Sequence, residues 1–304
     1  MNDNIIEIKN LKKSFGEIKA VDNIDLILKK GEMFGIVGPD GAGKTTMIRM
    51  LCGIIEPDEG TGQILGYDFR KKKHDIKNHI GYLSQKFSLY GDLTVDENIE
   101  FFAEIHNVKG YKNRREELLN FTKLKDFRKR FAYKLSGGMK QKLALACTLI
   151  HTPKIIFLDE PTTGVDPVSR RDFWKILFNL LKDGITILLT TPYLDEAERC
   201  TLIGMMHNGK FLIIDTLNEI KKLMKGIILE IVCSKIHESY KLLSKLSIVK
   251  EAQTFGDRLN VVVKRNEHIN EIKRILSDEG IELIDMRKIS PSLENIFISL
   301  VKVN

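Results

Sequence analysis

The sequence predicts an α/β fold built on a mostly parallel sheet, followed by a smaller α+β domain. Four apolar runs, MFGIVG, IGYLSQ, KIIFLDE and GITILLTT, are predicted to be buried strands separated by helical segments. Strands that are buried on both faces and alternate with helices are typical of parallel sheets. After about residue 225 the order becomes strand, helix, strand, strand, helix, strand, which predicts the ferredoxin-like split arrangement.

The remaining elements complete this division. From Ile5 to about Leu28, the runs IIEIKN and NIDLILK alternate apolar and polar residues, which predicts half-exposed antiparallel strands. We assign residues 1–224 to the first domain and 225–304 to the second. The final segment, PSLENIFISLV, begins at Pro291 and is predicted to be a helix that docks on a neighbouring surface. Its apolar face consists of Leu293, Ile296, Phe297 and Leu300.

Length and composition agree with a globular protein of two domains. The chain has 304 residues, and domains contain on the order of 150. Hydrophobic residues make up 43% and charged residues 29%, so the chain can bury a sizeable core and disorder is not expected. The net charge of +7 would suit a phosphate-bearing ligand or an anionic membrane surface, and by itself it decides neither.

The sequence also predicts where in the cell the protein is located. No uncharged apolar run reaches the roughly 18 residues of a membrane span, and the N-terminus lacks the apolar core of a signal peptide. We therefore expect a cytoplasmic protein that does not cross a bilayer by itself. The cysteines lie far apart without a CxxC pair, so we expect buried, reduced thiols rather than a zinc site or a disulfide framework. They are Cys52, Cys147, Cys200 and Cys233.

A glycine-rich loop follows the first buried strand and opens a helical stretch. GPDGAGKTT fits the phosphate-binding pattern G-x-x-x-x-G-K-[ST], in which backbone N–H groups and the helix N-terminus face phosphate oxygens. Lys44 is expected to reach the phosphates, and Thr45 with Asp159 to hold Mg²⁺. Asp40 should point to solvent, because a carboxylate beside phosphates is unfavourable. The loop comprises Gly38, Pro39, Asp40, Gly41, Ala42, Gly43, Lys44, Thr45 and Thr46. The alternative is a chance glycine-rich turn, with Asp159 an ordinary strand-end carboxylate.

Further motifs resemble those of one particular family of proteins with a phosphate-binding loop. LSGGM, from Leu135 to Met139, resembles the signature motif of ABC transporter ATP-binding subunits, usually LSGGQ. YLSQ, ending in Gln85, resembles the Q-loop of that family, and GVD, ending in Asp166, resembles its D-loop. Phe15 stands where the family has an aromatic residue that stacks on adenine. The resemblance covers residues 1 to about 220 and implies an ABC cassette, with a RecA-like core, an antiparallel β-subdomain and a helical subdomain.

The resemblance also implies roles for these residues in binding and hydrolysing ATP. Glu160 would be the general base, and Gln85 would contact Mg²⁺ and the attacking water. Ser136, Gly137 and Gly138 would offer N–H donors to ATP held by a second cassette, so a homodimer or paired cassettes are expected. Asp166 would cross that interface. The plainer alternatives are a strand-end cap for Glu160, a turn acid before Pro167 for Asp166 and core packing for Phe15.

Two positions depart from the family pattern. Where the family has a histidine that contacts the γ-phosphate, this chain has Pro192, which offers no donor. Loss of one such contact lowers rates by about 10²-fold, so slow hydrolysis is expected. Met139 replaces the usual glutamine of the signature, a milder change because the preceding glycines remain.

The C-terminal segment indicates one subgroup of the ABC family. PSLENIFISL resembles the tail of ABC-2-type drug-export ATPases, the daunorubicin-resistance and multidrug subgroup. This implies export of a small compound or lipid-like molecule through a separate polytopic membrane subunit, at the inner face of the cell membrane. The basic runs RKKK and KDFRKR are interpreted as solvated faces, and no nucleic acid is expected as partner. Two alternatives stay open, a nucleotide-gated scaffold with little turnover and a soluble ABC ATPase outside transport. The second domain would either stabilise a dimer or bind a regulator.

Overall fold

A six-stranded sheet forms the centre of the first unit in the computed structural model, which describes residues 3–86 and 89–303. The strands of this unit are β1 (Asn4–Phe15), β2 (Ile18–Lys29), β3 (Met33–Val37), β4 (Glu59–Ile64), β5 (Tyr67–Asp68), β6 (Ile80–Leu83), β7 (Ile155–Asp159), β8 (Thr186–Thr191), β9 (Leu202–His207) and β10 (Lys210–Asp215). The helices are α1 (Lys44–Leu51), α2 (Lys73–Lys77), α3 (Val95–Ile105), α4 (Tyr111–Phe121), α5 (Gly137–Leu149), α6 (Pro167–Lys182) and α7 (Leu194–Ala197).

The central sheet has the order β10-β9-β3-β8-β7-β6, and all pairs except β10 with β9 are parallel. Every residue of β3, β7 and β8 is buried, as expected for strands covered on both faces. The predicted mostly parallel sheet is therefore confirmed. Because β3, β8, β7 and β6 are parallel neighbours, the segments that follow their carboxyl ends meet at one edge of the sheet.

A second sheet, in the order β2-β1-β4-β5, is antiparallel, and it includes the predicted antiparallel pair β1 and β2. Side chains of β1 and β2 share one apolar core with β3 and α1. Helices α3, α4 and α5 contact one another and form the helical part of this unit. Helix α3 begins with a capping box, in which Thr94 and Glu97 exchange hydrogen bonds and satisfy free N–H groups.

The second unit, Leu217–Asn304, has its own sheet and core. Its strands are β11 (Ile227–Cys233), β12 (Val249–Phe255), β13 (Arg258–Val263) and β14 (Leu283–Ile289), and its helices are α8 (Leu217–Lys222), α9 (Ile236–Leu243), α10 (Glu267–Asp278) and α11 (Leu293–Val303). The antiparallel order β12-β13-β11-β14, with α9 and α10 in the connections, is the ferredoxin-like arrangement that the sequence predicts. The final segment is the helix α11, as predicted, and it buries Leu293 and Ile296.

The two units divide between Thr216 and Leu217, so α8 belongs to the second unit, whereas the sequence pattern predicts residues 217–224 in the first. All four cysteines are free and buried, as expected from their spacing. Burial raises the pKa of the Cys147 and Cys200 thiols. Within residues 3–86 and 89–303, no helix combines the length and the apolar character of a membrane span.

Candidate functional site

The phosphate-binding loop leaves the buried strand β3 and enters α1 within a few residues. Close packing makes two of its glycines necessary. A Cβ atom on Gly38 would lie 2.1 Å from the carbonyl oxygen of Met206, and one on Gly43 would lie 2.0 Å from that of Ala20. Gly43 also has a φ of +104°, which favours glycine. No acidic residue occupies the first turn of α1, so no carboxylate of the helix itself opposes its positive end.

Lys44 is buried inside the curl of the loop, with 4% of its surface exposed. Its Nζ donates hydrogen bonds to the carbonyl oxygens of Gly38 at 2.8 Å and Pro39 at 3.0 Å. The same ammonium lies 3.5 Å from Oε1 of Glu160. The loop therefore holds its one cation in place through neutral carbonyls and a buried carboxylate, with the charge available to an anion above the loop.

Thr45 and Asp159 are in contact, as the motif requires. Thr45 Oγ1 donates to Asp159 Oδ1 at 2.9 Å, and Thr190 Oγ1, from the end of β8, donates to the same oxygen at 2.7 Å. Asp159 is fully buried, and its other oxygen, Oδ2, has no hydrogen-bond partner among the described residues. An unpaired buried carboxylate oxygen is unfavourable. This oxygen, together with the Thr45 hydroxyl, fits Mg²⁺, which prefers oxygen ligands.

Glu160 lies at the floor of the site, with 7% of its surface exposed. Its backbone adopts a φ of +49°, uncommon outside glycine. The Glu160 N–H donates to the carbonyl oxygen and the hydroxyl of Thr190, at 3.1 and 3.0 Å, and these bonds hold the strained residue. Gln85 Nε2 donates to Glu160 Oε2 at 2.9 Å, which leaves the amide oxygen of Gln85 as the possible metal ligand.

These side chains surround an open cavity of about 350 Å³. Its lining consists of Ile18, Ala20, Asp40, Gly41, Ala42, Gly43, Lys44, Thr45, Thr46, Gln85 and Glu160. Asp40 is exposed, as expected. Phe15 is not in the lining: its side chain is 50% exposed at the end of β1, with Lys13 Nζ 5.5 Å from the ring centre. That exposure argues against core packing for Phe15, and adenine stacking stays a prediction.

The signature residues lie apart from this cavity, at the start of α5. The Ser136 hydroxyl caps the helix and accepts the Met139 N–H at 3.3 Å. Gly138 is buried against α6, where a Cβ atom would lie 2.3 Å from Cβ of Ser169. Gly137 is exposed. Within one chain, Ser136, Gly137 and Gly138 are thus not part of the cavity lining, and their helix start faces outward with no acidic residue in its first turn.

Asp166 caps α6, the helix that supports the signature. Its Oδ1 accepts the N–H groups of Val168 at 3.1 Å and Ser169 at 2.9 Å, and Pro167 follows at the first helical position. Hydrogen bonds, first from the Ser169 hydroxyl and then from its backbone N–H, lower the pKa of Asp166. The plainer reading of Asp166 as a turn acid therefore describes its contacts within the chain. A contact across a dimer interface stays a prediction.

Pro192 directly follows β8 and is half-buried. Its neighbour Thr191 accepts the Tyr193 N–H at 3.0 Å and donates to Glu196 Oε2 at 2.8 Å. The other Glu196 oxygen accepts the Thr162 hydroxyl at 2.6 Å and lies 3.4 Å from Arg170 Nε. We call these residues, Thr162, Arg170, Thr191, Tyr193 and Glu196, the Glu196 network. It joins the segment after β7, the start of α6 and the segment after β8, and sequence reasoning missed it.

Comparison with known proteins places this geometry in a family. The ABC transporter family matches residues 21–163, and a second family, the C-terminal domain of DrrA1-3-like ATP-binding proteins, matches residues 216–301. The daunorubicin resistance ATP-binding protein DrrA3 of Streptomyces coeruleorubidus is 32% identical over 99% of this chain and 96% of its own length. The chain belongs to the ABC transporter ATP-binding proteins. The resemblance found in its motifs is thereby confirmed.

Other relatives of this ABC ATPase cover the first unit. The probable multidrug ABC transporter ATP-binding protein YbhF of Escherichia coli is 41% identical over 72% of the chain. The chain spans only 38% of the length of that relative. One solved structure is a dimeric ATP-binding cassette in a post-hydrolysis state, with ADP and Pi bound. The match covers 70% of this chain and 98% of that chain, with a TM-score of 0.64 and 29% sequence identity. That neighbour shares the cassette fold with this ABC ATPase, and the bound nucleotide and the dimer are features of that solved structure.

Glu196→Ala is expected to destabilise the ABC ATPase by at least about 2 kcal/mol, because it leaves two threonine hydroxyls without their buried acceptor and Arg170 without its counter-charge. Glu196→Gln keeps one acceptor oxygen and should lose less. The free energy of unfolding from denaturant titration measures both. The exposed Glu104→Gln variant serves as control. If Glu196→Ala and the parent protein have the same free energy of unfolding, the Glu196 network does not stabilise the fold.

Pro192→His is expected to raise the ATPase rate, by up to about 10²-fold, because it restores a donor where the family has one. Proline has no N–H to donate, so the substitution removes no hydrogen bond of residue 192, and the bond from the Tyr193 N–H to the Thr191 hydroxyl does not involve its side chain. Rates of both proteins at saturating Mg-ATP measure the effect. An equal or lower rate in a folded variant would show that Pro192 is not the limiting defect.

Proposed function

We propose that this chain powers the export of a small compound or lipid-like molecule by hydrolysing ATP on behalf of a separate polytopic membrane subunit. The observation that carries the proposal is the similarity to DrrA3 along 99% of the chain, which includes the second unit as well as the cassette. Under this proposal the chain acts as a peripheral protein at the inner face of the membrane. The second unit, predicted as residues 225–304, serves as an accessory domain.

The residues at this edge of the central sheet have separate roles in binding ATP. Lys44 and the N–H groups of the loop bind the phosphates, and the apolar Ile18 and Ala20 border the same cavity. Thr45, Asp159 and Gln85 hold Mg²⁺, which when bound neutralises developing charge on the phosphate oxygens. Phe15, exposed at the end of β1, provides the adenine platform.

Glu160 takes the proton of the attacking water. Its carboxylate is buried and fixed by Gln85 through one oxygen, while Lys44 lies near the other. Such fixed geometry is the first requirement of a general base. Because Gln85 follows the edge strand β6, a displacement of that segment would release Glu160 from its hydrogen bond. A protein that binds the Q-loop segment would therefore change how the general base Glu160 is held.

Two copies of the cassette together form two complete nucleotide sites. In one chain the signature helix start does not line the cavity, so Ser136, Gly137 and Gly138 serve the nucleotide of a second copy. The exposed Gly137 and the capped start of α5 offer N–H donors outward. Asp166 belongs to the same surface, because the helix that it caps packs Ser169 against Gly138. A head-to-tail homodimer satisfies these requirements.

A scaffold that binds ATP with little turnover is the second candidate, and the absence of a donor on Pro192 favours it. ATPase assays of the purified chain, with and without the membrane proteins that co-purify with it, distinguish the two. Turnover that rises with a polytopic partner supports the motor. Co-purification with ribosomal proteins or DNA instead would overturn the transport proposal.

A chain truncated after Thr216 is expected to keep its ATP affinity within about twofold, because the division between the units leaves every proposed nucleotide residue upstream. Titration of a fluorescent ATP analogue into both proteins measures this. Loss of binding by a truncated chain that retains its circular dichroism would place part of the site in the second unit.

A further inference from the structure

One edge of the sheet in the second unit has no neighbouring strand. The edge strand β14 pairs with β11, and no other described strand pairs with it. The outer row of N–H and C=O groups on such a strand is a template for a further strand. Ile284, in the same strand, adds a large apolar side chain that is 66% exposed. Both features favour the addition of a strand at this edge.

The charged side chains of β14 differ in whether they already have partners. Arg287 binds the Glu230 carboxylate through Nε at 2.8 Å and Nη2 at 2.6 Å. Lys288 Nζ donates to Asn266 Oδ1 at 2.7 Å. Asp285 is exposed and has no hydrogen bond or ion pair within the described part of the chain. The edge therefore presents an unpaired carboxylate two residues from an arginine that Glu230 holds in place and that is still 58% exposed.

The sequence of β14 is complementary to itself when two copies run antiparallel. In a pairing centred on Met286, Asp285 of each copy lies opposite Arg287 of the other. Residues opposite each other in an antiparallel pair project to the same face and interact directly, so this register forms two ion pairs. Ile284 lies opposite Lys288, whose aliphatic stem can cover it. A twofold contact requires such self-complementarity.

The charge pattern also excludes the neighbouring registers. In a continuous sheet, opposite residues share a face, so the twofold axis passes through a residue and not between two. An axis through Asp285 would place two carboxylates opposite each other, and an axis through Arg287 would do the same with two guanidinium groups. Like charges directly opposite each other are destabilising. Met286 is therefore the favoured centre.

The other edge strand, β12, lacks this complementarity. It buries Ala252 and Gln253, and its Glu251 lies 3.2 Å from Lys302 Nζ of α11. A pairing centred on Ala252, the middle residue, would place Glu251 opposite Gln253 and form no ion pair. Of the two edges of this sheet, β14 is thus the one that fits a second copy.

We propose that β14 pairs antiparallel with β14 of a second copy of this chain, about an axis through Met286, which joins the two four-stranded sheets into one. The contact uses no residue of the nucleotide site, so it forms without ATP and does not rest on the transport proposal. One strand pair is a small interface, so the dissociation constant of the nucleotide-free chain is expected to be on the order of 0.1 mM. Its ion pairs are exposed, so the contact weakens at high salt.

A cysteine at the twofold axis tests the pairing directly. Met286→Cys places one thiol from each copy in opposite positions, and opposite Cα atoms in an antiparallel pair are about 4.5–5.5 Å apart, a separation that a disulfide spans. The native cysteines are buried, so background oxidation should be low. The control is Thr254→Cys, at an exposed position of β12.

Oxidation of the nucleotide-free full chain should cross-link Met286→Cys into dimers and leave Thr254→Cys monomeric. Absence of cross-linking in a folded Met286→Cys protein, or equal cross-linking of the two variants, would overturn the proposal.

Charge exchange tests the register. Asp285→Arg gives β14 two arginines, and Arg287→Asp gives it two aspartates. Each variant alone opposes like charges at both pairs and should associate about 10-fold more weakly than the parent. An equimolar mixture of the two restores both ion pairs, so its dissociation constant should return to about the parental value.

Sedimentation velocity of the full chain without nucleotide, at concentrations up to about 1 mM, measures association, and thermal unfolding confirms that each variant is folded. Three results would each contradict the proposal. The first is a parent chain that stays monomeric, and the second is parental association of Asp285→Arg. The third is a mixture that associates no more tightly than its folded components.

Discussion

Glu160→Gln is expected to lower the ATPase rate by about 10²- to 10⁴-fold while ATP still binds. The amide cannot accept the proton of the attacking water, and general bases contribute rate factors of this size. Affinity should change little, because the side chain keeps its volume and one oxygen for the bond from Gln85 Nε2. ATP that binds without being hydrolysed should accumulate in closed dimers. Single-turnover kinetics measure the rate, and size-exclusion chromatography with ATP detects the dimer.

The matched control is Glu104→Gln, which makes the same change at an exposed position of α3. It should hydrolyse ATP at the parental rate and form no stable dimer. Normal turnover in Glu160→Gln would exclude Glu160 as the base. Loss of ATP binding in that variant would instead assign the residue to nucleotide affinity, which the proposed role does not allow.

Lys44→Ala is expected to weaken ATP binding by roughly 10- to 150-fold, the equivalent of about 1.5–3 kcal/mol for a hydrogen bond to a charged group. Two effects act together. The phosphates lose a cation that is already buried and positioned by the carbonyls of Gly38 and Pro39. Glu160, buried 3.5 Å from that cation, also loses its counter-charge, which makes a nearby anion less favourable. Equilibrium titration with ATP and with ADP measures the loss.

Lys112→Ala is the control, since it removes an exposed lysine from α4 and should leave affinity unchanged. Thermal unfolding of both variants separates loss of binding from loss of fold. Parental affinity in a folded Lys44→Ala protein would refute the assignment of the phosphate loop.

Much of the site could be predicted because it depends on local sequence. Strand, glycine-rich turn and helix follow one another along the chain, so Lys44 and Thr45 are placed by neighbours only a few residues away. Asp159 ends a strand whose apolar pattern is clear, and Glu160 follows it directly. Parallel strands bring such ends together at one edge, and the observed contact between Thr45 and Asp159 follows from that rule.

Other parts of the site depend on partners far apart in sequence. Thr190 holds both Asp159 and the strained backbone of Glu160, yet in the sequence it is one more polar residue at a strand end. The paired threonines after the apolar run of β8 were the available signal. Phe15 is exposed rather than placed in the cavity lining, because that lining depends on how the β1–β2 hairpin sits over the loop.

By itself the sequence determined the parallel core, the antiparallel strands, the ferredoxin-like second unit and the family, because these follow from hydrophobic period, element order and motif spacing. Tertiary structure alone decided that Asp166 caps α6 and that Glu196 joins three segments beside Pro192. The reason is physical. Periodicity reports which face of an element is buried, whereas the partner of a buried polar atom depends on which elements pack against it, and a single sequence does not contain that information.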